Sequence, residues 1–210
     1  MKIICKTTLF APVPPFDGTR IGIKLDDPAS LTWGIGKFTL ADGHGSATIS
    51  WGDGSQEQVT GGELTHTYPR PGEYEVRITD DIKDICCLYS ASTEKTTFIE
   101  MVREFRTNAA ALTTLSGNCF AGAVNLITIK SEGPWVKSML GRAFANCSSV
   151  IGRVDFLGAV TLGPNTFTGC TGITEIHFAE ANEAAIKAQS SWETSHHTFG
   201  APNAVISFDL

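Results

Sequence analysis

The sequence contains no apolar run long enough for a membrane-spanning helix, which requires about 20 residues in succession. Its first residues hold only short apolar stretches, broken by lysines and then by several prolines. A secretory signal needs an apolar segment of about 7 to 15 residues. We therefore expect no membrane span and find no export signal in the printed sequence.

Clustered positive charge is also lacking. The chain has 16 lysines and arginines against 22 aspartates and glutamates, a net charge of −6 at pH 7. Residues 1–85 carry 8 basic and 12 acidic side chains, and the remainder carries 8 and 10. A nucleic-acid surface requires lysine and arginine in a patch or stripe. We find no such cluster along the sequence and expect no nucleic-acid partner.

Catalytic and metal-binding motifs are lacking as well. No nucleophile elbow, zinc-protease, phosphate-loop or dinucleotide-binding pattern occurs, so we expect a protein that is not an enzyme and has no cofactor. No Cys-x-x-Cys pair suggests structural zinc. The adjacent His196 and His197 lie in a polar stretch, where we expect solvated side chains rather than metal ligands.

The six cysteines are expected to be free thiols, most of them buried. Their number is even, but their spacing does not resemble that of a small disulfide-rich secreted domain. Two of them are adjacent, so in an extended chain their side chains point to opposite faces. The cysteines are Cys5, Cys86, Cys87, Cys119, Cys147 and Cys170.

The first half has the pattern of a β-sandwich. Residues 47–51 alternate and stop at a Gly-Asp-Gly turn, which is a strong turn signal. Residues 73–78 alternate polar and apolar side chains after a Pro-Gly turn, as a half-buried strand does. Short strands are also expected at residues 39–42 and 58–60. Several short strands at this spacing are typical of a sandwich.

Three blocks of residues in this half resemble the signature of the PKD domain, which is WxFGDG, HTY and PGxYxV in that order. The first block is shortened here to WGDG. The resemblance covers about residues 30–82 and implies an immunoglobulin-like sandwich used for spacing or adhesion. The blocks are Trp51-Gly52-Asp53-Gly54-Ser55, His66-Thr67-Tyr68 and Pro71-Gly72 with Tyr74-Glu75-Val76.

Asp53 and His66 are the polar residues of these blocks. We interpret Asp53 as the cap of its turn and His66 as packed beside Tyr68 where a strand begins. A calcium ion at the Asp-Gly-rich loops is the alternative, but calcium requires six or more oxygen ligands. The aspartates that could contribute are scattered along the sequence: Asp42, Asp53, Asp80 and Asp81.

Residues 97–108, between the two halves, predict an amphipathic helix. Phe98, Val102 and Phe105 recur at i, i+4 and i+7. Thr97 is a candidate N-cap, with Glu100 three positions later as its capping-box partner. We expect this helix to cover the open end of the segment that follows.

The second half repeats with a period of 23 to 24 residues, the spacing of Phe120, Phe144 and Phe167. An aliphatic residue lies five positions before each phenylalanine and another lies six after it. A cysteine or alanine lies three after it. This period is in the range of leucine-rich repeats, in which stacked units align their apolar residues into one core. The aligned residues are Leu115, Met139 and Leu162, then Ala123, Cys147 and Cys170, then Leu126, Val150 and Ile173.

This pattern, over about residues 110–180, resembles the BspA-type (Treponema-type) leucine-rich repeat. The resemblance implies a bacterial cell-surface or extracellular protein that binds other proteins or cells in adhesion. About three good units are present, and an extra residue after Val150 predicts a bulge in the second strand. The fold class expected is mainly β with few helices. It comprises an immunoglobulin-like (PKD-like) sandwich over residues 1–84, followed by a short leucine-rich-repeat solenoid with a helical cap over residues 85–210.

The repeat strands, expected at residues 126–130, 150–156 and 173–178, present one polar face. Period-two alternation turns Ile129, Val154, Phe156, Ile176 and Phe178 inward. The outward residues are a candidate binding face, although their opposite charges could simply pair across strands. They are Thr128, Lys130, Arg153, Asp155, Glu175 and His177, to which we add Trp135 after a Gly-Pro turn.

A helix within residues 181–191 and a strand at residues 204–208 are expected to close the far end. The function expected first is an adhesion module for a protein or glycan ligand. A structural subunit or spacer of a larger assembly is the second interpretation, and the oligomeric state is left open. A carbohydrate-binding accessory protein is the third, through Trp33, Trp51 or Trp135, of which Trp135 is the best exposed candidate.

Overall fold

The computed structural model describes residues 16–26, 32–86, 99–194 and 198–209. Of these residues, 42% are in strands and 9% are in helices, so the described part of the protein is mainly β. The predictions for Cys5, Cys87, Thr97, Phe98, His196 and His197 lie outside the described residues. The strands are β1 (Gly18–Leu25), β2 (Thr32–Leu40), β3 (Ala47–Ser50), β4 (Gln56–Val59), β5 (Gly62–Thr67), β6 (Gly72–Thr79), β7 (Ile82–Cys86), β8 (Val102–Thr107), β9 (Thr114–Leu115), β10 (Thr128–Ser131), β11 (Ser138–Met139), β12 (Gly152–Asp155), β13 (Thr161–Leu162), β14 (Ile173–Phe178) and β15 (Val205–Phe208).

Two six-stranded sheets run through both halves of the chain. Their orders are β10-β8-β1-β6-β3-β4 and β13-β11-β9-β7-β2-β5, and a third sheet has the order β12-β14-β15. Strand β8 pairs with β1 and β10, and β9 pairs with β7 and β11. Strands from both sides of residue 85 therefore share each large sheet, and their buried side chains form one hydrophobic core. The domain boundary at residues 84 and 85 stays a prediction.

The alternating segments of the first half form strands as predicted. Residues 47–51 and 73–78 correspond to β3 and β6, residues 39–42 overlap the end of β2, and residues 58–60 overlap β4. Strand β1 pairs with β6 along its whole length. Its alternation buries Ile21 and Ile23, and it leaves Arg20 and Lys24 at the outer face.

Residues 102–107 form a strand, so the helix predicted over residues 97–108 is wrong for this part. Only residues 99–101 of the described portion are helical. Gly22 of β1 lies opposite Glu104, whereas the next residue, Ile23, lies opposite Val102. Arg103 is thus an extra residue, a β-bulge, which turns both Val102 and Phe105 inward. The bulge creates the i, i+3 spacing of apolar residues that resembled a helix.

The repeats of the second half stack with their predicted residues in register. Leu115, Met139 and Leu162 lie side by side on the short parallel strands β9, β11 and β13. The rings of Phe120 and Phe144 stack at a centroid distance of 5.2 Å, and those of Phe144 and Phe167 at 5.7 Å. In both pairs the ring planes differ by 3°. These rings form an aromatic column inside the core.

Each repeat also turns through one residue in the left-handed backbone region. Asn118, Arg142 and Asn165 occupy equivalent positions, three after the aligned aliphatic residue, with φ of 58°, 63° and 59°. Asparagine tolerates this conformation better than most residues, and arginine does not. Close approach of successive turns requires glycine at Gly163, where an added Cβ would lie 2.2 Å from the backbone nitrogen of Gly141.

Short helices close the far end against β13. They are a 3-10 helix (Glu180–Asn182), α1 (Glu183–Lys187) and α2 (Ser190–Thr194). The Gln189 amide accepts a hydrogen bond from the Leu162 backbone N–H at 2.7 Å and donates one to the Val160 carbonyl at 2.9 Å. The Gln189 side chain thus provides hydrogen-bond partners for backbone groups at the outer edge of β13. Within the described part of the chain, the helices are too short and polar to cross a membrane.

Candidate binding face

Strands β12 and β14 bring four predicted binding residues together in two cross-strand pairs. Arg153 lies opposite Glu175, and Asp155 lies opposite His177, as the repeat alignment predicted. The register shifts between Gly152 and Arg153, which confirms the predicted bulge. The inward residues of these strands are buried as expected, with Ile129 of β10 among them: Ile129, Val154, Phe156, Ile176 and Phe178.

These four side chains form one connected charged cluster. Arg153 Nε lies 2.7 Å from Asp155 Oδ1, and its Nη1 lies 3.3 Å from Glu175 Oε1. Partial burial raises the pKa of Asp155, but hydrogen bonds from Arg153 and His177 outweigh it and hold this pKa below its ordinary value. Exposed pairs of this kind each contribute well under about 1 kcal/mol to folding. The contacts within the cluster therefore fix the positions of these side chains more than they contribute to the stability of the fold.

The prediction that His177 is exposed is wrong, because only 4% of the residue is accessible. Its Nδ1 lies 2.8 Å from Asp155 Oδ1, and its Nε2 lies 3.1 Å from the backbone carbonyl of Asp209. The Asp209 carboxylate also pairs with Nε2. Strand β15, which follows the three units used for the alignment, pairs with β14 and places Ser207 opposite His177. His177 therefore positions Asp155 and is not itself a contact surface.

The other predicted residues lie elsewhere on the molecule. Thr128 and Lys130 lie on β10, opposite Glu104 and Arg106 of β8. Strand β10 is near β12, so the outer faces of the first and third sheets adjoin. Trp135 is 39% exposed in the connection between β10 and β11. The other two candidate tryptophans for glycan contact, Trp33 and Trp51, are buried.

A row of cations on the first sheet was missed by the sequence reading. Arg77, Arg20, Arg106 and Lys130 occupy directly opposed positions on β6, β1, β8 and β10. We call these four residues the basic row. These four residues are neighbours in the fold although no basic cluster occurs along the sequence, and three of them pair with glutamates. The only sequence signal is their outward position in each alternating strand, and alternation does not reveal which strands are neighbours.

Asp53 and His66 form a hydrogen-bonded turn with Ser55. His66 Nε2 lies 2.8 Å from Asp53 Oδ2, and the Ser55 backbone N–H donates to Asp53 Oδ1 at 2.9 Å, which confirms the predicted cap. Burial raises the pKa of Asp53, but hydrogen bonds from Ser55 and His66 lower it to about 2. His66 also stacks on Trp51 at 4.9 Å, and the Tyr68 hydroxyl donates to the Trp51 carbonyl.

This Ser-His-Asp set does not have the geometry of a hydrolase triad. In such a triad the carboxylate and the hydroxyl bind different ring nitrogens of the histidine. Here Asp53 and Ser55 both face His66 Nε2, at 2.8 and 3.4 Å, and the Ser55 hydroxyl donates to Asp53 at 2.6 Å. The hydroxyl proton is held by the carboxylate, so the histidine is not placed to remove it.

The repeat thiols are buried and hydrogen-bonded between coils. Cys147 donates to the Phe120 carbonyl at 3.2 Å, and Cys170 donates to the Phe144 carbonyl at 3.0 Å. Hydrogen bonding with Cys170 and burial raise the pKa of Cys147 well above its ordinary value. The Cys119 thiol, which is also buried, donates to the Ile85 carbonyl at 3.1 Å. These contacts fit structural residues and not nucleophiles.

No group of three or more His, Cys, Asp or Glu side chains that could hold a metal ion occurs among the residues that the structure describes. A scan against protein-family models gives no match, and searches of curated proteins and of solved structures give none either. The site assignment therefore depends on the geometry of the chain itself.

Proposed function

We propose that this chain is a non-catalytic binding module that presents one charged sheet face to a protein or glycan ligand at a bacterial cell surface. In this proposal an immunoglobulin-like, PKD-like sandwich is continued by a short BspA-type leucine-rich-repeat stack. The PKD-like assignment is supported by the contacts among Trp51, Asp53, His66 and Tyr68. The repeat assignment is supported by the parallel register of β9, β11 and β13 and by the aromatic column.

The observation that carries the proposal is the position of the charged face. In the described part of the chain, outward positions of β8, β10, β12 and β14 carry charged side chains, such as Arg106, Lys130, Arg153 and Glu175. Arg153, Asp155 and Glu175 are half-exposed on this face, and their mutual contacts fix their positions. A ligand would therefore meet charges that are already ordered, which lowers the entropic cost of binding.

Cellular location is the first test of this proposal. An antibody against the protein would be used to probe intact cells, medium and cytoplasm of the organism that makes it. Detection on the surface or in the medium would support adhesion. Detection in the cytoplasm alone would contradict it.

Binding is the second test, with immobilised protein screened against host matrix proteins and glycans. For any ligand found, Arg153→Gln is compared with Lys137→Gln, which removes an exposed lysine that precedes β11 of the second six-stranded sheet, away from the three-stranded sheet that carries Arg153. Loss of binding for the first variant alone would support the face. Equal binding by both would place the ligand elsewhere.

A structural subunit of a larger assembly is the second candidate, favoured by strand β15. This strand lies at the edge of its sheet, parallel to β14, and its first residue, Val205, is 67% exposed. An edge strand with exposed apolar residues is a template for pairing with another chain. Concentration-dependent oligomers that disappear in a Val205→Lys variant would favour this function. A monomer at all concentrations would exclude self-assembly through this edge.

A further inference from the structure

We propose that the proton on Nδ1 of His177 is a pH switch, which decides whether this ring bonds to Arg153 or to Asp155 on the candidate binding face. The inference rests on the proposed function in one respect, since it takes Arg153, Asp155 and Glu175 as the residues that a ligand meets. It adds the regulation of that face. Histidine changes its charge between about pH 5 and pH 8, so the switch operates in this range.

The Nε2 nitrogen of His177 faces hydrogen-bond acceptors. It lies 3.1 Å from the backbone carbonyl oxygen of Asp209, and it also pairs with the Asp209 carboxylate. A carbonyl oxygen and an ionised carboxylate accept hydrogen bonds and donate none. We therefore assign a proton to Nε2 in both the neutral and the charged ring.

The Nδ1 nitrogen of the same ring faces one donor and one acceptor. Arg153 Nη2 is in hydrogen-bonding contact with it, and Asp155 Oδ1 lies 2.8 Å from it. A guanidinium group donates only, and an ionised carboxylate accepts only. The neutral ring, with its proton on Nε2, has a lone pair on Nδ1 that accepts from Arg153. The charged ring has a proton on Nδ1 that it donates to Asp155, so each contact belongs to a different proton state.

Burial of the ring makes this choice of partner matter. Only 4% of His177 is accessible, so water is a poor substitute for either side chain. A buried polar atom without a hydrogen-bond partner is costly. A change in the proton on Nδ1 should therefore be accompanied by a movement of Arg153 relative to the ring.

The charged groups around the ring come from three strands and from the residue after the last of them. They are Arg153 and Asp155 of β12, Glu175 of β14 and Asp209 after β15. The Ser207 hydroxyl of β15 donates to Glu175, and on β10 Lys130 pairs with Glu132. One cation and three carboxylates thus surround His177, and a proton on Nδ1 halves the net negative charge of this set.

The switch changes how firmly Arg153 is held. With the neutral ring, its guanidinium group donates to Asp155 through Nε, to Glu175 through Nη1 and to His177 through Nη2. The charged ring repels the guanidinium group and competes with it for Asp155. An anionic group of a ligand therefore displaces fewer partners from Arg153 when His177 is charged, and it should bind this face more tightly near pH 5 than near pH 8.

The first test is nuclear magnetic resonance of the full chain, labelled with nitrogen-15, between pH 5 and pH 8. Aspartates and glutamates ordinarily titrate below this range, near pH 4. Nε2 should stay protonated throughout, and Nδ1 should gain its proton as the pH falls. The Arg153 Nε–H signal should shift with the same midpoint, and this shift should be lost in His177→Gln. The control is His44→Gln, which removes a 42% exposed histidine paired with Asp81 and should leave the Arg153 titration unchanged.

The second test is a pair of crystal structures of the wild-type protein at pH 5 and pH 8. At pH 8, Arg153 Nη2 should lie within hydrogen-bonding distance of Nδ1. At pH 5, Asp155 alone should do so. These structures and the wild-type signals test the inference even if His177→Gln fails to fold, which circular dichroism would detect.

The outcomes separate this inference from the proposed function. A proton on Nδ1 and not on Nε2 at pH 8, an Arg153 shift that persists in His177→Gln, or an unchanged Arg153 position in the two structures would each overturn it. If the switch is observed but no ligand is lost in Arg153→Gln, the proposed function fails while the switch stands. If a ligand is lost in Arg153→Gln but binds wild-type protein equally at both pH values, the regulation fails while the proposed function stands.

Discussion

The aromatic column makes a quantitative prediction about stability. Phe144 is fully buried, and its ring lies between those of Phe120 and Phe167, with Phe105 and Phe156 within 6.2 Å. Replacing it with alanine removes these contacts and leaves a cavity that the neighbouring coils cannot close. Such phenylalanine-to-alanine changes cost about 3 to 5 kcal/mol. We expect Phe144→Ala to lower the free energy of unfolding by an amount near the upper end of this range.

The continuous sheets predict that this loss reaches the first half of the chain. Strands β8 and β9 pair directly with β1 and β7, so the two halves of the chain should unfold in one transition. Urea unfolding would be followed by far-ultraviolet circular dichroism for the whole chain. Tryptophan fluorescence would report on the first half of the chain, in a background with Trp135→Phe and Trp192→Phe that leaves Trp33 and Trp51. Both signals should shift to the same lower midpoint.

Two results would refute this reasoning. If dichroism shifts and the fluorescence of Trp33 and Trp51 does not, the halves unfold independently and residues 84 and 85 separate two autonomous domains. If Phe144→Ala costs less than about 1 kcal/mol, the ring is not part of a close-packed core. Ile151→Ala is the control, since this side chain is 75% exposed and its truncation should have little effect.

Three further predictions concern backbone and pH. Arg142→Asn, which introduces the asparagine found at the equivalent position of the other two coils, should stabilise the protein by about 0.5 to 1 kcal/mol because φ is 63° there; a lower thermal midpoint would contradict this. Gly163→Ala should destabilise the protein by about 2 kcal/mol or more, since the added Cβ would meet backbone atoms. Gly45→Ala is the control in the same melting assay and should be nearly neutral, because an added Cβ there meets nothing within 4 Å. Because the pKa of Asp53 is about 2 when folded and 3.8 in a model peptide, its contribution is present above pH 4 and is lost as pH falls toward 2. Asp53→Asn should remove up to about 2 kcal/mol of that acid-dependent stability in urea titrations, and an unchanged pH dependence would contradict the assignment.

Local patterns predicted much of this fold because they depend on near neighbours in the chain. In each coil, aliphatic residues lie five positions before and six positions after the phenylalanine. Because this spacing repeats from coil to coil, the aromatic column around Phe144 was predictable. The alternation of β3 and β6 was readable for the same reason. The segment at residues 102–107 was misread because its bulge is set by pairing with β1, and an unpaired sequence shows only the spacing of Val102 and Phe105.

In the candidate site, too, contacts set by the repeat spacing were predicted and contacts set by distant parts of the chain were not. The pairing of Arg153 with Glu175 was predicted because both belong to neighbouring repeats of known offset. The burial of His177 was not, because it depends on Asp209 and on a strand, β15, that lies outside the three aligned units. The same limit applies to the shared sheets, since no local pattern indicates that β8 joins β1 to β10.

The sequence by itself determined strands such as β3 and β6, the turn at Asp53 and the offsets of the repeats, because these follow from spacing within one segment. Only the tertiary structure decided which outward side chains are neighbours. The residues Arg20, Arg77, Arg106 and Lys130 are far apart in the chain and become adjacent through long-range strand pairing. Their register is set by the packing of the whole core, and a one-residue slip would turn each of them to the other face.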